Sequence, residues 1–226
     1  SSPLSPPTPE SRAAPAVRNQ RPQAMDLPQA TSSPLPRAEA LAQLRRAWEL
    51  LSAQPQGQGE PLLTCAEAVS ADQLMKHPER DVRLWSARCL AEVLRVFAPS
   101  PPLDAQRLRM VLELFVEQLG LLEEAGSSAF VQGVGLLERL VEIRAFILVF
   151  DCSGPDELLA SLVEVCLRVS RAKGNGRLES LLSELLATVL GEADELPPPA
   201  LELLLQELAE QRAGQAARPI VRRALG

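Results

Sequence analysis

The sequence predicts an all-α fold, a solenoid of about four antiparallel helix pairs stacked behind a disordered Pro- and Ser-rich tail. Three observations carry that reading. Aromatic residues make up only 3% of the 226, Tyr is absent, and Leu and Ala dominate, so packing must come from aliphatic ridges on helices. Apolar residues recur at three- and four-residue spacing in one segment after another. The breaks between those segments are short and built around Pro and Gly.

Residues 1–36 are of another kind: crowded with Pro and Ser, with almost no large apolar side chains to bury, they are expected to be disordered. Pro-rich tails of this sort serve as linkers more often than as ligands for SH3-like or WW-like domains. The helical region then runs over residues 37–226. Its first helix, Arg37 to Ala53, gathers Leu41, Leu44, Trp48 and Leu51 on one face and stops at "QPQGQGEP". Helices follow at Leu62 to Lys76, Glu79 to Phe97, Asp104 to Glu124, Ser127 to Phe150, Pro155 to Ala172, Gly176 to Leu190, Pro197 to Arg212 and Gly214 to Leu225.

The punctuation has a mechanism. Pro78, Pro155 and Pro197 fall at first-turn positions, where a missing N–H costs nothing, and Gly174 to Gly176 supplies residues that tolerate positive φ. After the first helix the others pair off, and successive second helices begin roughly 40 to 48 residues apart, the period of HEAT-type repeats and not of tetratricopeptide repeats. Each pair is apolar on more than one side and must bury itself against its neighbours. Sustained heptads are absent, which disfavours a long coiled coil. A compact helical bundle with one closed core is the structural rival, since it would use the same helices.

Several function classes are disfavoured on composition. A formal net charge of −6 argues against sequence-independent nucleic-acid binding, which needs a basic surface. The local cluster Arg212, Arg218, Arg222 and Arg223 reads as helix-end charge complementing the dipole. Cys65, Cys89, Cys152 and Cys166 are widely spaced with only His77 as a histidine co-ligand, which suggests buried thiols in a reducing compartment, with neither a zinc site nor a disulfide framework. No apolar run reaches the ~18 residues of a membrane span and no signal core opens the chain, so a soluble intracellular protein without membrane contact is expected. Phosphate-binding and metalloprotease motifs are missing. Gly133 and Gly135 lie within an amphipathic helix, where they permit close packing, and Cys89 sits on an apolar face, so no enzyme is expected.

The stretch "HPERDVRLWSARCLAEVLRVFAPSPPLD", His77 to Asp104, combines an acidic helix start, an apolar helix and a proline-rich stop. Glu79 and Asp81 face the positive end of the helix dipole, and Val82, Trp85, Cys89, Leu90, Val93 and Phe97 follow at helical spacing. Asp81, Val82 and Arg83 resemble the Asp-x-Val-Arg start of a HEAT second helix, in which Asp and Arg bridge adjacent repeats. With "LFVEQLGLLEEAGSSAFVQGVGLLERLVEIRAFILVFDC" added, residues 62–226 resemble the N-terminal HEAT region of the precocious-dissociation-of-sisters family of cohesin regulators.

That resemblance implies a nuclear, chromosome-associated adaptor without catalytic activity. Its partners would be the cohesin complex and the wings apart-like release factor or its antagonists, whose short aromatic-containing motifs dock on a proline turn. The adaptor helps set whether cohesin is released from chromatin or retained during sister chromatid cohesion. The family's kleisin-binding surface and inositol hexakisphosphate pocket lie in later repeats, so no cofactor is expected in this chain. The turn maps onto Ala98, Pro99, Ser100, Pro101, Pro102 and Leu103. Ser100 stands where the family has an acid, Pro101 where it has Ala and Leu103 where it has Tyr. Losing the acid removes a partner for a cationic ligand residue, while the added proline stiffens the turn toward polyproline II. The residues alone leave two other readings open: a turn that only punctuates the repeats, and an unrelated HEAT scaffold such as a transport or phosphatase adaptor.

Overall fold

The computed structural model describes residues 35–171, 176–193 and 195–212, with side chains to 209. The expected tail and the expected last helix, Gly214 to Leu225, lie outside the described residues, as do the side chains of the C-terminal arginine cluster. The helices are α1 (Arg37–Ser52), α2 (Leu63–Val69), α3 (Asp72–Met75), α4 (Arg80–Val96), α5 (Ala105–Leu119), α6 (Ser128–Glu142), α7 (Pro155–Arg171), α8 (Gly176–Glu192) and α9 (Pro198–Arg212). No strand occurs among the described residues.

The helices form two layers. In one, α1 packs on α4, α4 on α6 and α6 on α8; in the other, α5 packs on α7 and α7 on α9. Consecutive helices join the layers, α4 with α5 and α7 with α8. The end helices α8 and α9 make no substantial contact with α1, so the architecture is an open HEAT-type solenoid and not a closed bundle. One continuous apolar core runs the length of the stack, from Leu35 to Leu204. Helix α4 shows why a pair cannot stand alone: Val82, Leu84, Ala87, Cys89, Leu90, Ala91, Val93 and Val96 bury nearly its whole circumference.

Three expected helices are interrupted. The segment 62–76 is a 3₁₀ turn (Glu60–Leu62) followed by α2 and α3, which break at Ser70 and the extended Ala71. The carbonyl freed at Ser70 accepts from Arg107 at 3.1 Å, a partner 37 residues away. The segment 104–124 narrows from α5 into a 3₁₀ turn at Gly120–Glu123. The segment 127–150 stops at Glu142, because Arg144 adopts the left-handed conformation (φ 52°), and resumes as a 3₁₀ helix over Ala145–Asp151. Pro155 opens α7 as expected, whereas Pro78 and Pro197 stand just before their helices.

Side-chain caps explain two other boundaries: Asp104 accepts the amide of Arg107 at 2.7 Å, and the Ser127 hydroxyl accepts that of Phe130 at 3.0 Å. Gly133 supports close packing as its sequence suggests, since a Cβ there would stand 3.0 Å from the Leu122 side chain.

Candidate peptide-docking site

The two ends of α4 hold the residues singled out in the sequence. At its start, Val82 is fully buried and its neighbours reach in opposite directions. Asp81 pairs with Arg37 of α1, and Arg83 pairs with Glu117 of α5 at 2.9 Å while also donating to the carbonyls of His77 (2.6 Å) and Pro78 (3.0 Å). The Arg37 hydrogen bond holds the Asp81 carboxyl below the usual carboxylate range. His77 is buried with both ring nitrogens engaged: Nδ1 accepts the Glu79 amide at 3.1 Å, which makes Nε2 the donor to the Leu35 carbonyl at 2.8 Å. The Asp-Val-Arg motif and His77 thus tie α1, α4 and α5 together.

At the other end, α4 runs into Phe97, the Ala98–Pro99 peptide is cis, and the chain turns back through hydrogen bonds from Ser100 to Phe97 (3.0 Å) and from Leu103 to Pro101 (2.8 Å). The loop after α1 lies across this turn. Gly59 sits against the Phe97 ring, where a Cβ would come within 2.5 Å, and Gly57 takes positive φ (76°) to bring the loop round. Arg95 fastens the loop by donating to the carbonyls of Leu51 (3.0 Å) and Gln54 (2.8 Å) and to Glu92 (2.6 Å).

Beside the turn is a cleft of about 460 Å³. One wall is Gln56, Leu94, Arg95, Ala98, Pro99 and Pro101; the other is Glu142, Ile143, Arg144, Ala145, Ile147 and Leu148. The second wall lies where α6 ends at Glu142 and the chain resumes, after the left-handed Arg144, as the 3₁₀ segment packed on α5, α7 and α8. Phe146 and Val149 anchor that segment in the core, and Phe146 meets Phe115 edge-on with ring centroids 6.3 Å apart. Arg144 is further tied to Glu192 of α8 at 3.0 Å. The volume and the mixture of proline, aliphatic and a few charged groups suit a small apolar or aromatic side chain with polar flanks.

Of the six turn residues read from the sequence, Ala98, Pro99 and Pro101 line the cleft. Ser100 is exposed beside it, Pro102 stands outside the lining, and Leu103 turns back to pack on the core. Sequence reasoning missed the facing wall from Glu142 to Leu148. No Gly or Pro marks the break that creates it.

The described residues hold four cysteines and one histidine. All four cysteines are buried, and burial pushes the Cys65 thiol up to about 11 and that of Cys166 to about 12, with Cys89 also raised. No group of three or more His, Cys, Asp or Glu residues placed to hold a metal occurs among them, and no described helix is long and apolar enough to cross a membrane.

Residues 38–220 match the family model of the sister chromatid cohesion protein PDS5. The chain belongs to the PDS5 family. It is 29% identical over 186 residues to the PDS5 homolog of Dictyostelium discoideum, covering 81% of this chain and 13% of that protein. Against PDS5 homolog B of Gallus gallus it is 27% identical over 150 residues, 66% of this chain and 11% of the relative. PDS5 homolog E of Arabidopsis thaliana is 26% identical over 159 residues, 70% of this chain and 16% of the relative. The chain therefore spans 11–16% of the length of these curated PDS5 relatives. Its fold matches that of a chain in a solved structure of the Pds5–Scc1 complex with a TM-score of 0.74 and 21% identity, over 86% of this chain and 30% of that one.

Proposed function

We propose that this chain is a non-enzymatic peptide-docking segment of a cohesin regulator, and that the cleft beside Ala98, Pro99 and Pro101 receives short aromatic-containing motifs of the wings apart-like release factor or its antagonists. Cohesin is the complex it serves, in the nucleus and on chromosomes, where it helps control release or retention. The observation that carries this reading is the position of the proline turn as one wall of a 460 Å³ cleft. Prolines there lower the entropy lost when a ligand orders the wall. Family membership argues against the transport or phosphatase adaptor reading. No cofactor enters the proposal, since the family's inositol hexakisphosphate pocket belongs to later repeats.

The test substitutes Pro99→Ala and Pro101→Ala together and measures capture of an aromatic-containing release-factor peptide. Helical circular dichroism should persist, since the turn lies outside the helices, while affinity falls about tenfold, equivalent to ~1.4 kcal/mol. Pro102→Ala, outside the lining, should leave affinity unchanged. Equal binding by the double variant and the parent would reduce the turn to punctuation. Cohesin subunits should also be recovered with this chain from nuclear extract, and their absence would count against the cohesin assignment.

A further inference from the structure

The layer of α1, α4 and α6 carries a second surface that shares no residue with the cleft. Trp48 on α1 and Trp85 on α4 are the only two tryptophans in the sequence, and they meet edge to face with centroids 6.2 Å apart and planes at 83°. The Arg88 guanidinium lies over both rings, 4.4 Å from the Trp85 centroid and 5.0 Å from that of Trp48, and Arg45 lies over Trp85 at 5.5 Å. Stacking occupies the faces of these guanidinium groups. The N–H donors point outward in the plane and stay available.

Neither arginine has a carboxylate within salt-bridge distance or a hydrogen-bond acceptor among the described residues, unlike Arg83, Arg95, Arg109, Arg139 and Arg144. The nearby acids do not supply one. Glu92 is buried and already engaged by Arg95 and Arg139, and Glu49, one turn on from Arg45, leaves it unpaired. Arg88 is also partly desolvated, which pushes its pKa down. A half-buried guanidinium with unfilled donors gains more from an incoming anion than a fully hydrated one does. Next to it, Trp48, Arg88, Gly135 and Arg139 border a recess of about 140 Å³, and nothing stands within 4 Å of where a Cβ on Gly135 would project.

We propose that the Arg45–Trp85–Arg88–Trp48 face docks an acidic peptide segment of a partner protein. Asp or Glu carboxylates meet Arg88 and Arg45 in the plane of their donors, and a small side chain enters the recess over Gly135. Charge complementarity selects this occupant. The chain's own residues 1–34 hold Glu10 and Asp26 against Arg12, Arg18 and Arg21, so they lack the required negative charge.

The two tryptophans make the test site-specific, because all indole fluorescence of the chain originates here. Titration with an alternating Glu-Asp decapeptide should give a saturable change in tryptophan emission that weakens with added salt. Arg45→Gln, a change to an exposed side chain, should lower affinity about threefold, and the Arg45→Gln/Arg88→Gln double variant about tenfold or more. Circular dichroism of each variant should match the parent, and Arg80→Gln, on another face of α4, should bind normally. The proposal is overturned by unchanged affinity in Arg45→Gln and the double variant, or by an equal response to a decalysine peptide. A response only to a phosphoserine peptide, self-association abolished by Arg88→Gln, or no emission change at millimolar peptide would also overturn it.

Discussion

The two ends of α4 differ in how they spend their polar groups. At the start, Asp81, Arg83 and His77 direct charge and hydrogen bonds to α1, α5 and the intervening backbone, and Val82 is sealed between them. At the end, the chain leaves the helix as an exposed proline turn facing an open cleft. With 17 residues in α4, these ends stand about 25 Å apart at the rise of an α-helix. One helix can therefore join its repeat to the stack at one end and border an open cleft at the other. Changes at one end should leave the other largely intact, since distant sites act independently.

The strongest way to break that separation is through the core beneath the cleft. Phe146→Ala removes a buried ring that meets Phe115 edge-on and should cost about 3–5 kcal/mol in chemical denaturation. It should also abolish peptide capture by collapsing the wall from Glu142 to Leu148. Glu92→Ala comes next. Its buried carboxylate accepts from Arg95 (2.6 Å) and Arg139 (2.9 Å), and leaving both cations without it should cost about 1.5–3 kcal/mol. Because Arg95 lines the cleft, peptide affinity should fall as well, while the Asp81 and Arg83 contacts persist.

Asp81→Asn should be the mildest, about 1 kcal/mol or less, because the Arg37 pair is exposed to solvent. The pH dependence has a definite sign. Arg37 depresses the Asp81 pKa in the folded state, so the stabilisation is present above the unfolded carboxylate pKa and is lost as pH falls through the folded value. Acid denaturation curves of the parent and Asp81→Asn should therefore converge at low pH. Peptide binding at neutral pH should be the same in both.

Periodicity reached the core of α1 and α4, with Trp48, Trp85 and Phe97 partly buried at its edge. Leu41, Leu44, Val82, Cys89, Leu90 and Val93 are buried, as their spacing requires. The Pro- and Gly-containing breaks after Ser52, Phe97 and Asp151 likewise fall between helices. Local pattern failed where a distant partner decides the backbone: the α2–α3 break is stabilised by Arg107, and the end of α6 is set by packing of the 3₁₀ segment on Phe115 and α8. For the same reason only one wall of the cleft was legible, the one written as a proline cluster. The Trp–Arg stack had a visible trace in the i,i+3 spacing of Trp85 and Arg88, whereas Arg45 lies over Trp85 of the neighbouring helix and not over Trp48 of its own. Their meeting depends on how α1 lies on α4, which no single-helix pattern encodes.

The most direct test of the account is amide chemical-shift mapping during titration with an aromatic-containing release-factor peptide. The account predicts that the largest shifts fall on Leu94 to Leu103 and Glu142 to Leu148, with little change from His77 to Arg83. Shifts concentrated at the start of α4, or spread evenly along the stack, would contradict it.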